Sequence, residues 1–129
     1  MAAEIGFVFK KRWSQGVIVE VMGVERKIEI LELIPFNSDR KRMTVIVRDQ
    51  GIIKMLVKGA DSIVMERLNT GISQTHLNYI LKNLLEFSGA GLRTLCMAVR
   101  YLSEQEYNEY SDKILALSSE DRPAKIRTP

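Results

Sequence analysis

Two short stretches of this sequence carry side chains suited to holding an adenine nucleotide. The first is Phe36-Asn37-Ser38-Asp39-Arg40-Lys41-Arg42-Met43-Thr44, and the second, reached after a β-rich segment, is Lys58-Gly59-Ala60-Asp61. A flat ring can carry the base, because stacking a base on an aromatic side chain is worth roughly 1–3 kcal/mol. Clustered cations can meet the polyphosphate. Phe36 falls where a strand ends, beside Asn37, Ser38 and Asp39, and is either such a platform or a core side chain. Alternation along the next strand puts Lys41 on the side of Met43 and Val45, with Arg40 and Arg42 opposite. Only one side addresses a given ligand, so Lys41 is the secondary candidate and the rest of the run reads as a solvated edge.

Lys58 closes an apolar strand, and Gly59 would let a ligand approach the backbone. The alternative is an ordinary surface lysine. Asp61 reads as a helix N-cap rather than a ligand. Gly91-Leu92-Arg93-Thr94-Leu95 puts Arg93 at the start of a strand. There its guanidinium either forks onto phosphate or ribose oxygens, or pairs with Asp61 or a glutamate.

Other signals lead nowhere. Gly89-Ala90-Gly91-Leu92-Arg93-Thr94 starts like a dinucleotide fingerprint but lacks the third glycine and stands between a helix and a strand. Lys58-Gly59 has no glycine-rich run before a Lys-Ser/Thr pair, so it is not a P-loop. His76 is the single histidine, which leaves a histidine metal site or triad without partners; it reads as an exposed residue near a helix start. Trp13 reads as a loop or edge residue. Cys96 is the single cysteine, expected to be a buried filler in a reducing, cytosolic setting.

The elements that must position these groups are legible in outline. Residues 4–9 read as the tail of an element. Val17–Val21 and Lys27–Leu33 read as a hairpin around Gly23. Met43–Arg48 and Ile52–Val57 form a second strand pair around Asp49-Gln50-Gly51, apolar on both faces and therefore expected to be covered on both. Asp61–Leu68 reads as a short helix. Leu77, Ile80, Leu81, Leu84 and Leu85 make one apolar helical stripe, ended by Gly89 and Gly91. Leu95, Met97, Val99 and Tyr101 alternate as a strand. Ser103 and Glu106 form a capping box before a helix carrying Tyr107, Tyr110 and Ile114 on one face. From about 118 to 129 the chain is polar, with Pro123 and Pro129, and reads as a connecting segment. Strands first, then helix, strand and helix, predict an α+β domain with a largely antiparallel β-sheet and helices packed on it.

Composition is consistent with this. The 129 residues suit a single domain spanning 1–129, large enough to bury a core. There is no apolar run long enough to cross a bilayer and no secretory leader, so the chain as given reads as soluble. A formal net charge of +3 favours anionic ligands mildly and falls short of a dedicated nucleic-acid binder.

Taken together, Phe36–Thr44 with Arg40-Lys41-Arg42-Met43, the Lys58-Gly59-Ala60-Asp61 run, and Phe87 through Gly91-Leu92-Arg93-Thr94-Leu95 resemble the nucleotide-binding domain of P-type ATPases. The first stretch is similar to the form found in phospholipid-transporting flippases. The resemblance runs from about Ile5 to the helix after Ser103, with three motifs in order. It implies a division of labour: membrane helices carry lipid, an aspartate in a phosphorylation domain accepts the γ-phosphate, and an actuator domain removes it. The domain resembled here holds ATP and presents it. By that resemblance Phe36 stacks on adenine, Lys58 lines the adenine pocket and Arg93 reaches ribose or phosphates. The phosphorylated aspartate with its Lys-Thr-Gly-Thr neighbours, the hinge, the magnesium-binding segments and an upstream nucleotide-contacting glutamate are not in this sequence. The resemblance thus implies a truncated ATP-binding domain of a membrane pump, facing the cytosol and not catalytic alone. The alternative is a non-catalytic interaction or regulatory domain that keeps the flippase-like fold, for which the Gly89-Ala90 pair leaves room. A third possibility is single-stranded nucleic-acid binding through Lys10-Lys11-Arg12 and Trp13.

Overall fold

Two tight turns set the frame of the sheet. Met22-Gly23 takes φ values of 52° and 85°, and Gln50-Gly51 takes 53° and 77°. Paired positive φ angles are what two-residue hairpin loops need to match the twist of their strands. In the computed structural model, which describes residues 1–116 and side chains as far as Lys113, these turns join β2 (Gly16–Val21) to β3 (Val24–Ile34) and β4 (Arg42–Asp49) to β5 (Ile52–Gly59). A short 3-10 helix, Ala3–Ile5, leads into β1 (Phe7–Trp13). After β5 come α1 (Asp61–Met65), α2 (Gln74–Gly89), β6 (Cys96–Leu102) and α3 (Glu104–Ala116). The expected polar connection at 118–129, and the side chain of Ile114, lie outside the described residues.

The six strands form one sheet in sequence order, β1 to β6. The β1–β2, β2–β3 and β3–β4 pairs are antiparallel. This is the α+β, antiparallel architecture that the alternation patterns predict. Residues 4–9 divide differently from expectation: they split between the 3-10 helix and a full edge strand. Lys10, Lys11 and Arg12 lie within that strand, the kind of charged, bulged edge that blunts unwanted pairing.

The chain forms two compact units. One comprises 1–35, 44–56 and the residues from 99 on; the other comprises 36–43 and 57–98. In the first, Ile46, Val47 and Ile53 form the buried core. Its β3 carries a bulge: Ile30 pairs with Val47 and Glu32 with Ile46, so Leu31 is the extra residue. Paired residues share a face. Glu32 therefore moves to the side of Glu29 and Arg48, where it is 6% exposed. Tyr107 of α3 lies in the field of Glu32, and Arg48 bonds both Glu29 (3.4 Å) and Glu104 (3.0 Å). The capping box of α3 is closed in both directions: Glu106 N–H donates to Ser103 Oγ (3.1 Å) and Ser103 N–H to Glu106 Oε2 (3.0 Å).

In the second unit Val64 and Cys96 are buried. The α2 stripe is narrower than its sequence spacing suggests. Leu77, Ile80 and Leu84 are half-buried, whereas Leu81 is 46% and Leu85 76% exposed.

In β6 Cys96 is buried, as expected, and Ala98 is half-buried, with Met97, Val99 and Tyr101 exposed. One further expectation is corrected. Ile52 and Leu56 are also exposed, so β5 is not covered on both faces. Alternation identifies a strand but not which of two apolar faces meets the core.

Candidate functional site

The first nucleotide-like stretch is a structured turn. Asn37 Oδ1 accepts the Arg40 N–H at 2.6 Å and the Asn37 carbonyl accepts the Lys41 N–H at 2.8 Å. Asparagine suits this position because its short amide can imitate a backbone acceptor. The turn ends on Lys41 with φ of 54°, a left-handed conformation that β-carbon sterics disfavour for any residue but glycine. Such strain persists where the surroundings impose it, often at ligand clamps.

What holds Lys41 there is the second stretch. Its carbonyl accepts the Ala60 N–H at 3.1 Å. A Cβ added to Gly59 would lie 2.5 Å from the Lys41 oxygen, 2.6 Å from Arg42 Cβ and 2.8 Å from Arg42 Cα. Gly59 is thus required by the crossing backbone at Lys41–Arg42, and not by the approach of a ligand, as the sequence suggested. The crossing joins the loop that carries Phe36 and Lys41 to the strand end that carries Lys58.

Phe36 is 62% exposed, which excludes the core alternative. Lys41, Lys58 and Arg93 are exposed as well, and among the described residues none of the three pairs with a carboxylate. Among the described residues, the ion pair considered for Arg93 with Asp61 or a glutamate does not form. All four candidates belong to the unit made of 36–43 and 57–98. The crossing bonds the Lys41 backbone beside the strand end that bears Lys58, and Phe36 precedes the turn that Lys41 closes; no described bond ties Arg93 to them.

Arg93 does not start a strand; it lies in the segment between α2 and β6, which begins at Cys96. The end of α2 explains the motif's glycine. Leu92 N–H donates to the Phe87 carbonyl (3.1 Å) and Gly91 N–H to that of Ser88 (3.0 Å), with Gly91 at φ 81°. This is a Schellman termination, which needs a residue free of the Cβ penalty at that place. Gly91 therefore sets the direction in which the chain leaves toward Arg93.

Asp61 is not the N-cap of α1. Ala60 holds that position, and Asp61 Oδ1 accepts the N–H of Ser62 at 2.8 Å, one step into the helix. Cys96 is buried, and burial first, then the Asp61 charge, push its thiol above the usual range. It stays protonated, as a packing residue does. His76 is exposed in the first turn of α2, its N–H bonded to Ser73 Oγ at 3.2 Å. Among the described residues no three of His, Cys, Asp and Glu gather closely enough to hold a metal ion. The elements of the nucleic-acid reading are engaged elsewhere: Lys27 Nζ lies 5.6 Å from the centre of the Trp13 ring, and Lys10 pairs with Glu20 at 2.9 Å.

A cationic group that the sequence reading set aside also forms here. Arg42 is half-buried, and burial followed by the like charges of Arg40 and Arg67 holds its pKa below the ordinary arginine value. Alternation separates Arg42 from Lys41 in the sequence, but nothing local signals the approach of Arg67, which depends on where α1 ends.

The family model for "P-type ATPase, cytoplasmic domain N" matches residues 5–125. Curated relatives point the same way. The chain is 45% identical over 132 residues to "Phospholipid-transporting ATPase tat-1" of Caenorhabditis elegans, covering 97% of the chain and 11% of that protein. It is 40% identical over 131 residues to human "Phospholipid-transporting ATPase ID", covering 97% of the chain and 11% of the relative. To "Phospholipid-transporting ATPase DRS2" of Saccharomyces cerevisiae it is 39% identical over 112 residues, covering 84% of the chain and 8% of the relative. The chain thus spans about a tenth of the length of these relatives. Among the described residues no helix is long and apolar enough to cross a membrane.

Proposed function

Because the chain belongs to the P-type ATPase family, through its cytoplasmic domain N, we propose that it is the ATP-binding domain of a phospholipid-transporting pump. In this reading residues 1–129 act as a single nucleotide-binding domain on the cytosolic side of an integral membrane protein, with about 118–129 leading onward. ATP is its ligand and the phosphorylation and actuator domains of the parent chain are its partners. Phe36 stacks on the adenine, Lys58 lines the pocket beside it, Arg93 reaches the ribose or phosphates, and Lys41 adds a further cation.

The observation that carries the reading is the crossing at Gly59. It seats an exposed aromatic ring and Lys41 on a loop bonded to the strand end that bears Lys58, and among the described residues neither lysine pairs with a carboxylate. Exposed cations that form no ion pair within the described residues are matched to an anion from solution. The domain alone transfers no phosphoryl group, which requires an acceptor, magnesium and in-line geometry. In the parent protein magnesium is held by segments outside this sequence.

The test is a residue-by-residue ATP titration of the isotope-labelled chain by NMR. Shifts are expected around Phe36, Lys41, Lys58 and Arg93. Phe36→Ala weakens binding by about tenfold or more while the fold persists, and Lys58→Ala acts in the same direction. A folded Phe36→Ala variant with unchanged affinity removes the ring from the site. ATP that leaves the Lys58 region untouched removes the pocket.

A further inference from the structure

Lys10-Lys11-Arg12-Trp13-Ser14 has no part in the nucleotide reading. It ends in a hydroxyl at the tip of the β1–β2 hairpin. Trp13 pairs with Gly16, so Ser14 and Gln15 are the whole turn. Ser14 is exposed, and among the described residues nothing bonds its hydroxyl. Lys11 and Arg12, three and two residues before it, are exposed as well, and among the described residues neither pairs with a carboxylate. A hydroxyl following such cations at this spacing is the charge pattern that basophilic serine/threonine kinases read with acidic subsites.

A kinase cleft takes its acceptor in an extended segment, so the tip must also yield. This turn differs from the other tight hairpins of the sheet. Met22-Gly23 and Gln50-Gly51 each take paired positive φ angles, whereas neither Ser14 nor Gln15 does. A two-residue loop without those angles matches the twist of its strands poorly. β1 is an edge strand, paired with β2 alone and bulged between Phe9 and Lys11. Past the tip, the Gln15 carbonyl accepts the Ile30 N–H at 2.8 Å, which fixes the β2 side to β3. Lifting the end of β1 thus releases its pairing to β2 and the contact of Lys27 Nζ with the Trp13 ring, 5.6 Å to the ring centre, and leaves β2 on β3. Local opening of this kind costs less than unfolding the domain.

The same charge pattern precedes Thr44, in Arg40-Lys41-Arg42-Met43-Thr44, and a thinner form precedes Thr70, with Arg67 three residues earlier. The structure separates the three. Thr44 is 5% exposed inside β4, a strand flanked by β3 and β5. Arg67 is engaged by the Ile63 carbonyl at 2.8 Å and by Glu66 at 3.6 Å.

We propose that Ser14 is a phosphorylation site for a basophilic serine/threonine kinase, which reads Lys11 and Arg12. Ser14 Oγ attacks the γ-phosphorus of an ATP bound to the kinase. The new O–P bond forms as the bond from that phosphorus to the ADP oxygen breaks, and the hydroxyl proton passes to a carboxylate of the kinase. The product places a charge of about −2 beside Lys11 and Arg12, which turns a cationic tip into a nearly neutral one.

The experiment incubates the folded chain with Mg-ATP and the catalytic subunit of cyclic-AMP-dependent protein kinase, and locates the phosphate by tandem mass spectrometry. Ser14 is expected to be modified at a rate within about tenfold of that in a free peptide of residues 8–18, because only the tip has to open. Thr44 is expected to stay unmodified in the folded chain although a free peptide of residues 38–48 is labelled. Arg12→Gln should lower kcat/KM at Ser14 about tenfold, the scale of one charge-assisted bond. Arg12→Lys should lower it by less, and Ser14→Ala should abolish labelling at the tip. Arg12 and Ser14 are exposed, so these changes remove no packing. The proposal is overturned if the folded chain leaves Ser14 unmodified or labels it far more slowly than the peptide does. It is also overturned if Arg12→Gln is modified as fast as wild type, or if Thr44 or Thr70 takes the phosphate in preference. Ser14→Ala leaves the ATP titration around Phe36 and Lys58 unchanged, so this proposal and the nucleotide reading can fail independently.

Discussion

Gly59→Ala isolates the contact on which the candidate site depends. The new methyl group would lie 2.5 Å from the Lys41 carbonyl oxygen and 2.8 Å from Arg42 Cα. Both are backbone atoms, so no rotamer change relieves the clash and the two segments must separate. Forced overpacking of this kind costs about 1–3 kcal/mol. Separation also strains the bond from Ala60 N–H to the Lys41 oxygen, 3.1 Å long, worth about 1 kcal/mol net. The sum is about 2–4 kcal/mol, or a fall in Tm on the order of 10 °C for a chain of this size. Thermal and urea unfolding of wild type and variant measure it, and ATP titration of the folded variant measures the second consequence. Affinity should drop although Gly59 contributes no side chain to the ligand, because the Phe36 loop no longer meets the Lys58 strand end. A variant with unchanged Tm and unchanged ATP affinity would refute the argument that this close approach builds the site. Lost stability with full affinity would show that the loop and the strand end bind independently.

Other consequences can be checked on the same material. Lys41→Gly should raise stability by up to about 1 kcal/mol, since glycine accepts the left-handed φ, while weakening ATP binding; a variant that binds ATP normally removes Lys41 from the site. Burial first, and then the Glu32 charge, raise the Tyr107 pKa. Its folded state therefore holds the phenolic proton longer than the unfolded state does. Stability present below the unfolded value of about 10 is lost as pH rises through the folded value. Tyr107→Phe should flatten the stability profile above about pH 10, and identical slopes in denaturation series at pH 9 to 11 would count against it. The Cys96 thiol, buried and raised in pKa, should react with a thiol reagent at pH 8 only as fast as the chain opens, so the labelling rate should climb with urea. Rapid labelling in buffer alone would contradict its burial.

Much of this architecture can be read from local chemistry. Gly23 and Gly51 mark the hairpins because paired positive φ angles leave few residue choices. Ser103 and Glu106 mark the start of α3 because a capping box is a contact between residues three apart. Gly91 marks the end of α2 for the same local reason. The misreadings arise where a non-local partner decides. Gly59 looks like room for a ligand and is instead room for Lys41 and Arg42. The alternation of β6 is read correctly, with Cys96 inside and Met97 opposite, but the strand starts at Cys96 and leaves Arg93 outside it. The α2 stripe is real in sequence, but its width is set by what packs on it. At the candidate site, exposed Phe36, Lys41 and Lys58 follow from turn and strand-end positions. The company Arg42 keeps depends on a helix that ends at Met65, which spacing along the chain does not encode.

The bulge in β3 carries a consequence for how the chain tolerates change in length. Between Ile30 and Glu32 the strand holds one residue more than its partner ladder needs. Removing Leu31 would leave both neighbours facing as they do now, and the ladder would become regular. Removing a residue elsewhere in β3, or adding one, would invert the parity of everything on one side of the change and turn Glu32 or Ile28 onto the wrong surface. Position 31 is thus the strand's slack, the place where a deletion can be absorbed without rewriting which side chains face the interior.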